Sequence, residues 1–531
     1  MCNECAKREG LQMGKNIRKG EWIAILDYGS QYTQLIARRI REQGVFSEIV
    51  GFDISAEELR ERRPAGIVLS GGPNSVFDEG APVCDPGIFG LGIPVLGICY
   101  GMQLTAQTLG GRVRQAASRE YGKARMAVLG SSPLFAGLPS EFDVWMSHGD
   151  QVEVLPPGFE ASASSRTCPA AAMQDAARGV YAIQFHPEVV HTCFGTEIVR
   201  NFLFGICRCR GEWKLSDWAE AAVERLKAQI GVDGEVVLGL SGGVDSTVAA
   251  VLIHRAIGSR LHCIFVDNGL LRYGEAEQVE ATFRSKMGFD LTVARAAPRF
   301  FAALAGLEEP EAKRKAIGRT FIDVFAEEAR KFSRCRFLGQ GTIYPDVIES
   351  SSALRGPSET IKSHHNVGGL PPDLKFELVE PLRDLFKDEV RAVGRVLGID
   401  GALLDRQPFP GPGLGVRILG EVTPEKVALL QQADLRLQEE LAKLPDRGGT
   451  WQAFAVLLPC RSVGVMGDRR TYEHVCAIRC VDSVDAMTAD WSRLPYATLA
   501  AVSNRIINEV RGVNRVVYDI SSKPPATIEW E

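Results

Sequence analysis

The chain has 531 residues, too many for one hydrophobic core, and this length predicts about two to four domains. Hydrophobic residues make up 45% and charged residues 24%, as in an ordinary soluble globular protein. The net charge of −5 gives no excess of positive charge that would attract nucleic acid or an anionic membrane. We therefore expect small molecules and protein as partners. No apolar run approaches the ~18 residues of a membrane span and no apolar signal core is present, which predicts a cytoplasmic location.

Residues 1–20 read as a polar extension to which we assign no function. Cys2 and Cys5 form a CxxC there, and Cys207 and Cys209 form a CxC. Neither has a second pair at zinc-finger spacing, so the 13 cysteines are predicted to be mostly reduced bystanders.

The first predicted domain, residues 21–210, alternates buried strand-like runs with amphipathic segments. WIAILDYG, AGIVLS and IPVLGI read as strands, and SQYTQLIARRIREQG reads as a helix. This alternation predicts an α/β domain with a mainly parallel sheet, whose functional residues gather at the carboxyl ends of the strands.

One such strand end carries GICYG, residues 97–101. It has the form of a GxSxG nucleophile elbow with cysteine in place of serine, in which small residues allow a strained turn that projects Cys99 above the sheet. Core packing of a buried cysteine is the alternative. QFHPE supplies His186 to form the thiolate and Glu188 to orient the imidazole, although His186 could also be structural.

Together, GICYG and QFHPE resemble the class I, triad-type glutamine amidotransferases. The resemblance implies that the Cys99 thiolate attacks the glutamine amide while His186 donates a proton to the departing ammonia. The backbone N–H groups of Gly72, in SGGP, and Tyr100 would stabilise the oxyanion. SHGD, residues 147–150, would line the glutamine pocket, with a solvated loop as the alternative.

The second predicted domain, residues 211–405, contains SGGVDS between the strand-like VVLGL and a helical segment. A Gly-rich turn before a helix is a phosphate cradle, and this one lacks the lysine of the common P-loop. The hexapeptide resembles the pyrophosphate loop of the N-type ATP pyrophosphatases. By that resemblance Asp245 helps to place Mg²⁺. An acidic or amide residue at a strand end fits contact with a nucleoside, so VDNG, residues 266–269, is expected to flank the adenosine. The implied ATP-binding residues are Ser241, Gly242, Gly243, Val244, Asp245, Ser246, Thr247 and Val266.

Three further stretches of this domain are less specific. Asp346, after a proline, is either a turn former or, by the resemblance, a metal contact. EAKRKAIGR reads by default as solvated charge, but the family match makes Arg314 a candidate contact for nucleotide phosphate. IKSHHNVGGLPP suits a mobile lid over a polyanion, in which the candidate nucleotide contacts are Lys362, His364 and His365.

The last predicted domain, residues 406–531, opens on PFPGPGLGVR, which reads by default as a linker, and closes on the proline-stiffened KPPATIEWE. With SGGVDS, the cysteine elbow, GVMGD and NRIINEV, these motifs resemble the glutamine-hydrolysing GMP synthase family from about residue 21 to the end. Arg469 departs from the pattern, where a smaller residue is expected.

The resemblance implies amination of xanthosine 5′-monophosphate to GMP, with glutamine and MgATP consumed and glutamate, AMP and pyrophosphate released. It also implies a Rossmann-like ATP pyrophosphatase domain after the class I amidotransferase domain, and a smaller α+β C-terminal domain that pairs two subunits and holds the substrate nucleotide. The implied nucleotide contacts in that domain are Gln452, Arg515, Lys523, Ile528 and Glu529.

Two alternatives remain at this point. Another glutamine-dependent adenylylating ligase would carry a nitrilase-like or N-terminal-cysteine glutaminase, and Cys99 lies far from the N-terminus. A nucleotide-binding regulatory protein built from decayed domains would have lost the residues at the chemistry first, yet Cys99, His186, Glu188 and Asp245 are all present.

Overall fold

The computed structural model describes residues 20–30, 32–352, 376–466, 468–483 and 488–531. The chain divides into two compact units, Met1–Lys214 and Leu215–Glu531. Cys2 and Cys5 lie outside the described residues. Across the described ranges, no helix combines the length and the apolar character needed to cross a membrane.

The first unit is built on a nine-stranded sheet in the order β2-β1-β3-β4-β9-β8-β7-β5-β6. Strands β2, β1, β3, β4 and β9 run parallel, and the pairs from β9 to β6 are antiparallel. The strands are β1 (Trp22–Asp27), β2 (Phe46–Gly51), β3 (Gly66–Leu69), β4 (Val95–Ile98), β5 (Arg112–Val128), β6 (Glu141–Val154), β7 (Glu160–Ser165), β8 (Ala172–Asp175) and β9 (Val180–Ile183). The helices are α1 (Thr33–Glu42), α2 (Ala56–Arg62), α3 (Tyr100–Thr108) and α4 (Gly195–Arg200).

The central strands of this sheet are buried on both faces. GIVL of β3 and VLGI of β4 are buried throughout, which explains why they read as continuous apolar runs rather than alternating ones. The α/β fold with a parallel core predicted for this domain is confirmed. Its carboxyl-end loops after β4 and β9 therefore bring GICYG and QFHPE to one edge, because these two strands are parallel neighbours.

The second unit begins with a five-stranded, all-parallel sheet in the order β12-β11-β10-β13-β14. The strands are β10 (Glu235–Gly239), β11 (Leu261–Asp267), β12 (Asp290–Arg295), β13 (Cys335–Gly339) and β14 (Glu377–Val379). The helices are α5 (Leu215–Ile230), α6 (Val244–Ile257), α7 (Glu275–Glu280), α8 (Ala297–Leu304), α9 (Pro310–Ala329), α10 (Tyr344–Ser352), α11 (Lys387–Val396) and α12 (Gly401–Leu404). This is the predicted Rossmann-like arrangement, with a parallel sheet and intervening helices.

The rest of the second unit is a smaller α+β region. A four-stranded sheet pairs β16 with β15, β17 and β18. Its elements are α13 (Pro424–Leu441), β15 (Gln452–Met466), β16 (Arg469–Asp482), β17 (Asp490–Trp491), α14 (Tyr496–Glu509) and β18 (Val513–Asp519). One hydrophobic cluster joins the two parts of the unit, with members such as Val237 and Phe300 on one side and Leu430 and Ile478 on the other.

The segment Pro408–Arg417 is not a linker, so that default interpretation was wrong. Leu414 and Val416 are fully buried. Gly413 has a φ of +63°, and a Cβ there would collide with the carbonyl oxygen of Leu270. The glycines and prolines of this segment therefore serve close packing inside the unit rather than separation of domains.

Candidate active sites

The Cys99 turn links β4 to α3 in a strained conformation. Cys99 has a φ of 52° and a ψ of −105°, a region that non-glycine residues rarely occupy. A Cβ at Gly97 would lie 2.7 Å from the Gly101 carbonyl oxygen, and one at Gly101 would collide with Leu69. The backbone N–H of Cys99 donates to Ile183 of β9 at 2.8 Å. The turn therefore has the geometry of a nucleophile elbow, and its small flanking residues are required by space.

The structure brings together the three residues predicted as a triad. On one side of His186, the Cys99 sulfur is near enough for its charge to act on the imidazole. On the other, His186 Nδ1 lies 2.7 Å from Glu188 Oε1. His186 is 3% exposed and Glu188 1% exposed. A sulfur, an imidazole and a carboxylate in this order can generate a thiolate and hold the imidazolium that forms.

The charge state of His186 follows from its two neighbours. Burial alone would lower its pKa, but the negative charges of Glu188 and of the Cys99 sulfur outweigh burial and raise the pKa of His186 well above 6.5. The Cys99 thiol also contacts the Ser147 carbonyl oxygen at 3.6 Å. A protonated His186 beside the sulfur can donate its proton to a leaving group.

A cavity of about 500 Å³ opens in front of the Cys99 sulfur. Gly72 and Tyr100, the predicted oxyanion residues, both line it, as do all four residues of SHGD. A Cβ at Gly72 would lie 2.9 Å from the Tyr28 carbonyl oxygen, so the close approach of this loop requires glycine. Tyr100 is the first residue of α3, where backbone N–H groups have no acceptor within the helix.

The walls of this cavity are polar. His148 is held by both ring nitrogens, with Nδ1 3.0 Å from the Asp150 carbonyl oxygen and Nε2 3.1 Å from Glu120 Oε2. Burial lowers the pKa of His148. Ser75 Oγ donates to Asp150 Oδ2 at 2.5 Å. Sequence reasoning missed Arg119, which also lines the cavity and offers it a positive charge.

In the second unit, SGGVDS forms the turn after β10 and the first three residues of α6, at a strand end and helix start as predicted. Gly242 has a φ of +73°, and Gly243 is the N-cap of α6 without a side-chain cap. The Ser241 and Ser246 hydroxyl oxygens lie 2.9 Å apart, and the Thr247 hydroxyl donates to the Gly243 carbonyl oxygen at 2.7 Å. Val244 begins α6, so the turn presents helix N-terminal N–H groups suited to an anion.

Asp245 has a partner that sequence reasoning missed. Lys387 Nζ lies 2.5 Å from Asp245 Oδ2, although the two residues are 142 positions apart. Asp245 Oδ1 is buried and has no hydrogen-bond partner among the described residues. Lys387 is the first residue of α11, where the helix dipole disfavours a cation. A lysine at this unfavourable position was the sequence signal that could have indicated a functional role.

A second cation near the loop was also missed. Arg406 donates to the Gly242 carbonyl oxygen at 3.1 Å and pairs with Glu275.

Two other predicted residues of this unit are also described. Asp346 lies in the first turn of α10 and accepts from the Ile343 N–H at 3.1 Å. Val266 is buried on β11.

The C-terminal tail is packed against the second unit by buried cations. Arg417, which is 1% exposed, binds Glu529 through Nε and Nη2 at 3.0 and 2.8 Å. Gln452 Nε2 donates to the same carboxylate at 3.0 Å, so two predicted nucleotide contacts meet there. Arg417 also stacks over Phe454, with its guanidinium carbon 4.0 Å from the ring centroid.

Glu531 is held by the start of α9. Lys313 pairs with its side chain, and Arg314, a predicted phosphate contact, donates to its carbonyl oxygen. Lys313 is fully buried and also donates to the carbonyl oxygens of Ile418 and Gly420 at 2.8 and 3.2 Å. The default interpretation of this basic run as solvated charge was therefore wrong for Lys313.

The remaining predicted nucleotide contacts are dispersed. Ile528 is buried in a cluster with Phe454 and Val456, so its side chain packs into the core. Lys523 forms a backbone bridge to Ala489, and Arg515 is exposed on β18. Lys362, His364 and His365 lie outside the described residues.

Comparison with known proteins shows the family of the chain. Residues 24–206 match the family "Glutamine amidotransferase class-I", residues 214–278 match "NAD synthase", and residues 439–530 match "GMP synthase C terminal domain". A glutamine-hydrolysing GMP synthase of Geobacillus kaustophilus is 57% identical over 96% of this chain and 99% of its own length. Those of Brachyspira hyodysenteriae and Aquifex aeolicus are 55% identical over 98% and 96% of this chain, and over 100% and 99% of their own lengths. The chain therefore belongs to the family of glutamine-hydrolysing GMP synthases.

Proposed function

We propose that the chain converts xanthosine 5′-monophosphate to GMP with ammonia from glutamine, and cleaves ATP to AMP and pyrophosphate. The observation that carries the proposal is the presence in one chain of a thiol, imidazole and carboxylate triad and of a lysine-free pyrophosphate loop. The first arrangement suits release of ammonia from an amide, and the second suits adenylylation of an acceptor.

At the first site, the Cys99 thiolate attacks the glutamine side-chain carbonyl carbon. The C–N bond breaks as His186 transfers its proton to the leaving nitrogen, and water then cleaves the thioester to release glutamate. Backbone N–H groups at Gly72 and Tyr100 stabilise the oxyanion. Arg119 and Asp150, which line the cavity, carry the opposite charges that a zwitterionic amino acid requires.

At the second site, the purine O2 attacks the α-phosphorus of ATP and pyrophosphate leaves. Ammonia then attacks C2, and AMP leaves with the former O2. The helix N-terminus at Gly243 and Val244 receives the pyrophosphate charge, and Lys387 and Arg406 supply fixed positive charge beside the loop.

Mg²⁺ fits the carboxylate chemistry of this loop. The buried Asp245 Oδ1, which lacks a hydrogen-bond partner among the described residues, is a hard oxygen ligand of the kind that Mg²⁺ prefers. We assign Asp245 and Asp346 as the residues that hold it. When bound with ATP, the ion neutralises negative charge on the phosphates.

We assign the substrate nucleotide to the C-terminal region. Gln452 and Glu529 share a hydrogen bond, and Arg417 Nη1 is buried with no hydrogen-bond partner in the described part of the chain. These groups offer an amide, a carboxylate and a cation to a purine monophosphate. Arg314, Arg515, Lys523 and the undescribed Lys362, His364 and His365 complete the proposed contacts.

We also propose a homodimer formed through the C-terminal domain. Val463 and Tyr472 are opposite one another in the β15–β16 pair, and both are more than half exposed, as is Val465. An apolar surface on paired strands suits a second copy. Val465→Asp should shift the molecular mass in light scattering toward the monomer, whereas Val232→Asp, at an exposed site elsewhere, should not.

The reaction is tested by incubating the protein with xanthosine 5′-monophosphate, glutamine and MgATP. Equal amounts of GMP, AMP, pyrophosphate and glutamate are expected. Inosine 5′-monophosphate, which has no O2 to adenylylate, is the matched control and should release no pyrophosphate. Formation of ADP and phosphate would contradict the proposal.

We also propose a cytoplasmic location. Eleven described cysteines carry free thiols, which suits a reducing compartment.

A further inference from the structure

Four polar side chains meet at the edge of the β10–β14 sheet opposite the pyrophosphate loop. Glu235, Asp290 and Cys335 are the first residues of β10, β12 and β13, and His262 is the second residue of β11. Ser241 follows the other end of β10, so Glu235 lies about 20 Å from it along an extended strand. The cluster therefore belongs to neither site described above.

Strand register places these side chains on one face. His262 pairs with Asp290 across β11 and β12, and Glu235 pairs with Cys335 across β10 and β13. His262 also pairs with Val237, which lies two positions after Glu235. Because residues two apart on a strand share a face, all four side chains project from the same side of the sheet.

The side-chain atoms are close enough to share a ligand. His262 Nε2 lies 3.5 Å from Glu235 Oε2, and Cys335 Sγ lies 4.0 Å from the same oxygen. One ligand atom from each residue falls within 4.8 Å of the other two. His262 Nε2 is buried and has no hydrogen-bond partner among the described residues. An unsatisfied buried nitrogen beside a thiol and a carboxylate requires an explanation.

We propose that Glu235, His262 and Cys335 bind a thiophilic divalent cation of the Zn²⁺ class, with Asp290 orienting the imidazole. Nitrogen, sulfur and oxygen donors are the set that Zn²⁺ takes in proteins. His262 Nδ1 lies 2.5 Å from Asp290 Oδ2, which fixes the tautomer that leaves Nε2 as the metal-binding atom.

The spacing is compatible with tetrahedral binding after a small side-chain adjustment. Bond lengths of about 2.0–2.3 Å place tetrahedral ligand atoms about 3.3–3.7 Å apart. The Glu235 and His262 atoms already have this separation, and Cys335 Sγ must approach by up to about 1 Å. The Phe332 ring stacks on His262 at 4.6 Å and covers one side, so water would be the fourth ligand.

The surrounding charges allow the site. Arg334 holds the other oxygen of Glu235 at 3.2 Å, but it is largely exposed and screened by solvent. Burial, followed by the Glu235 charge, raises the pKa of the Cys335 thiol to about 12, so the metal-free thiol is protonated.

A second cluster of similar composition has no imidazole nitrogen without a hydrogen-bond partner among the described residues. Glu120, His148 and Cys168 lie within the same 4.8 Å limit. There both nitrogens of His148 already have partners, and Glu120 accepts from Ser165 at 3.1 Å and from Thr167. This satisfied cluster serves as the internal control for the proposed site.

The test titrates the full-length, chelator-treated protein with Co²⁺ and then displaces it with Zn²⁺. One equivalent is expected to give a thiolate-to-cobalt charge-transfer band that Zn²⁺ removes. Cys335→Ser and His262→Gln should each bind one equivalent fewer than the wild type, and Asp290→Asn should weaken binding about 10- to 100-fold. Cys168→Ser and the exposed-site control Cys460→Ser should bind as the wild type does.

Ammonia-dependent synthesis and circular dichroism show which variants are folded, because none of these residues touches the proposed reaction sites. Equal Co²⁺ stoichiometry in the wild type, Cys335→Ser and His262→Gln would overturn the proposal. So would loss of the band in Cys168→Ser alone. Using two ligand variants keeps the test decisive if one of them fails to fold.

Discussion

The two candidate sites of this chain are prepared for chemistry in different ways. Around Cys99 the reacting groups are buried, the nucleophile is held at a positive φ, and His186 already contacts Glu188. Around Asp245, Ser241 and Gly243 of the loop are exposed. Asp245 forms an ion pair with Lys387, and the side chains of both residues are partly exposed. The difference follows from the reactions: covalent attack requires fixed angles, whereas phosphate binding requires mainly charge and N–H donors.

The rates of synthesis with glutamine and with ammonia distinguish the two sites, because only the first site is needed to use glutamine. A change at the first site should affect only glutamine-dependent synthesis. A change at the second should affect synthesis from glutamine and from ammonia equally. The ratio of the two rates therefore assigns each residue to a site.

The largest effect is expected for Cys99→Ala. Without the nucleophile no thioester forms, and glutamine-dependent synthesis should fall by about 10⁴-fold or more. Ammonia-dependent synthesis should stay within about twofold of the wild type, because no covalent step there uses this thiol. Steady-state rates with each donor measure both. Cys84→Ala, at another buried cysteine of the same unit, is the control. Equal loss with both donors would remove the assignment of Cys99.

Asp245→Asn should reduce synthesis from both donors by about 100- to 1,000-fold. It removes the carboxylate charge that we assign to Mg²⁺ while preserving side-chain size, and such electrostatic losses are worth several kcal/mol. Exchange of labelled pyrophosphate into ATP measures the step without either nitrogen donor. Asp233→Asn, in the loop before β10, is the matched control. Undiminished exchange would refute the role of Asp245.

Glu188→Gln should lower glutamine-dependent synthesis by about 10- to 100-fold and change its pH profile. Glu188 raises the pKa of His186, so it preserves the protonated imidazole to higher pH. Without that charge the protonated form is lost at a lower pH. The basic limb of the glutaminase profile should therefore move toward lower pH, and the ammonia profile should not change. A basic limb at the wild-type position would show that Glu188 does not set this pKa.

The sequence predicted the parts of these sites that are local. GICYG specifies much of its elbow within five residues, because a Cβ at Gly97 would collide with Gly101 of the same turn. Gly101, in contrast, is required by the close approach of Leu69 on β3. SGGVDS likewise encodes a helix N-terminus. Lys387, Arg406 and Lys313 were missed, because each acts on a partner more than 100 positions away. The position of Lys387 at a helix start marks an unusual charge, but it does not identify Asp245 as the partner. The α/β class could be predicted because apolar periodicity is a local property of the sequence. The packing of Pro408–Arg417 could not, because it depends on Leu270, which is distant in the sequence.

Arg515→Ala should produce the smallest and most selective change. Arg515 is exposed on β18, so a contact with the substrate phosphate would be partly screened. Its loss should raise KM for xanthosine 5′-monophosphate about tenfold, equivalent to about 1.4 kcal/mol, with kcat unchanged. The increase should be the same with glutamine and with ammonia, since the nucleotide is common to both reactions. Arg511→Ala removes the same charge four positions earlier and should leave KM within about twofold. An unchanged KM in Arg515→Ala would exclude Arg515 from the nucleotide site and leave Arg314, Arg417, Gln452, Lys523 and Glu529 as its remaining described polar groups.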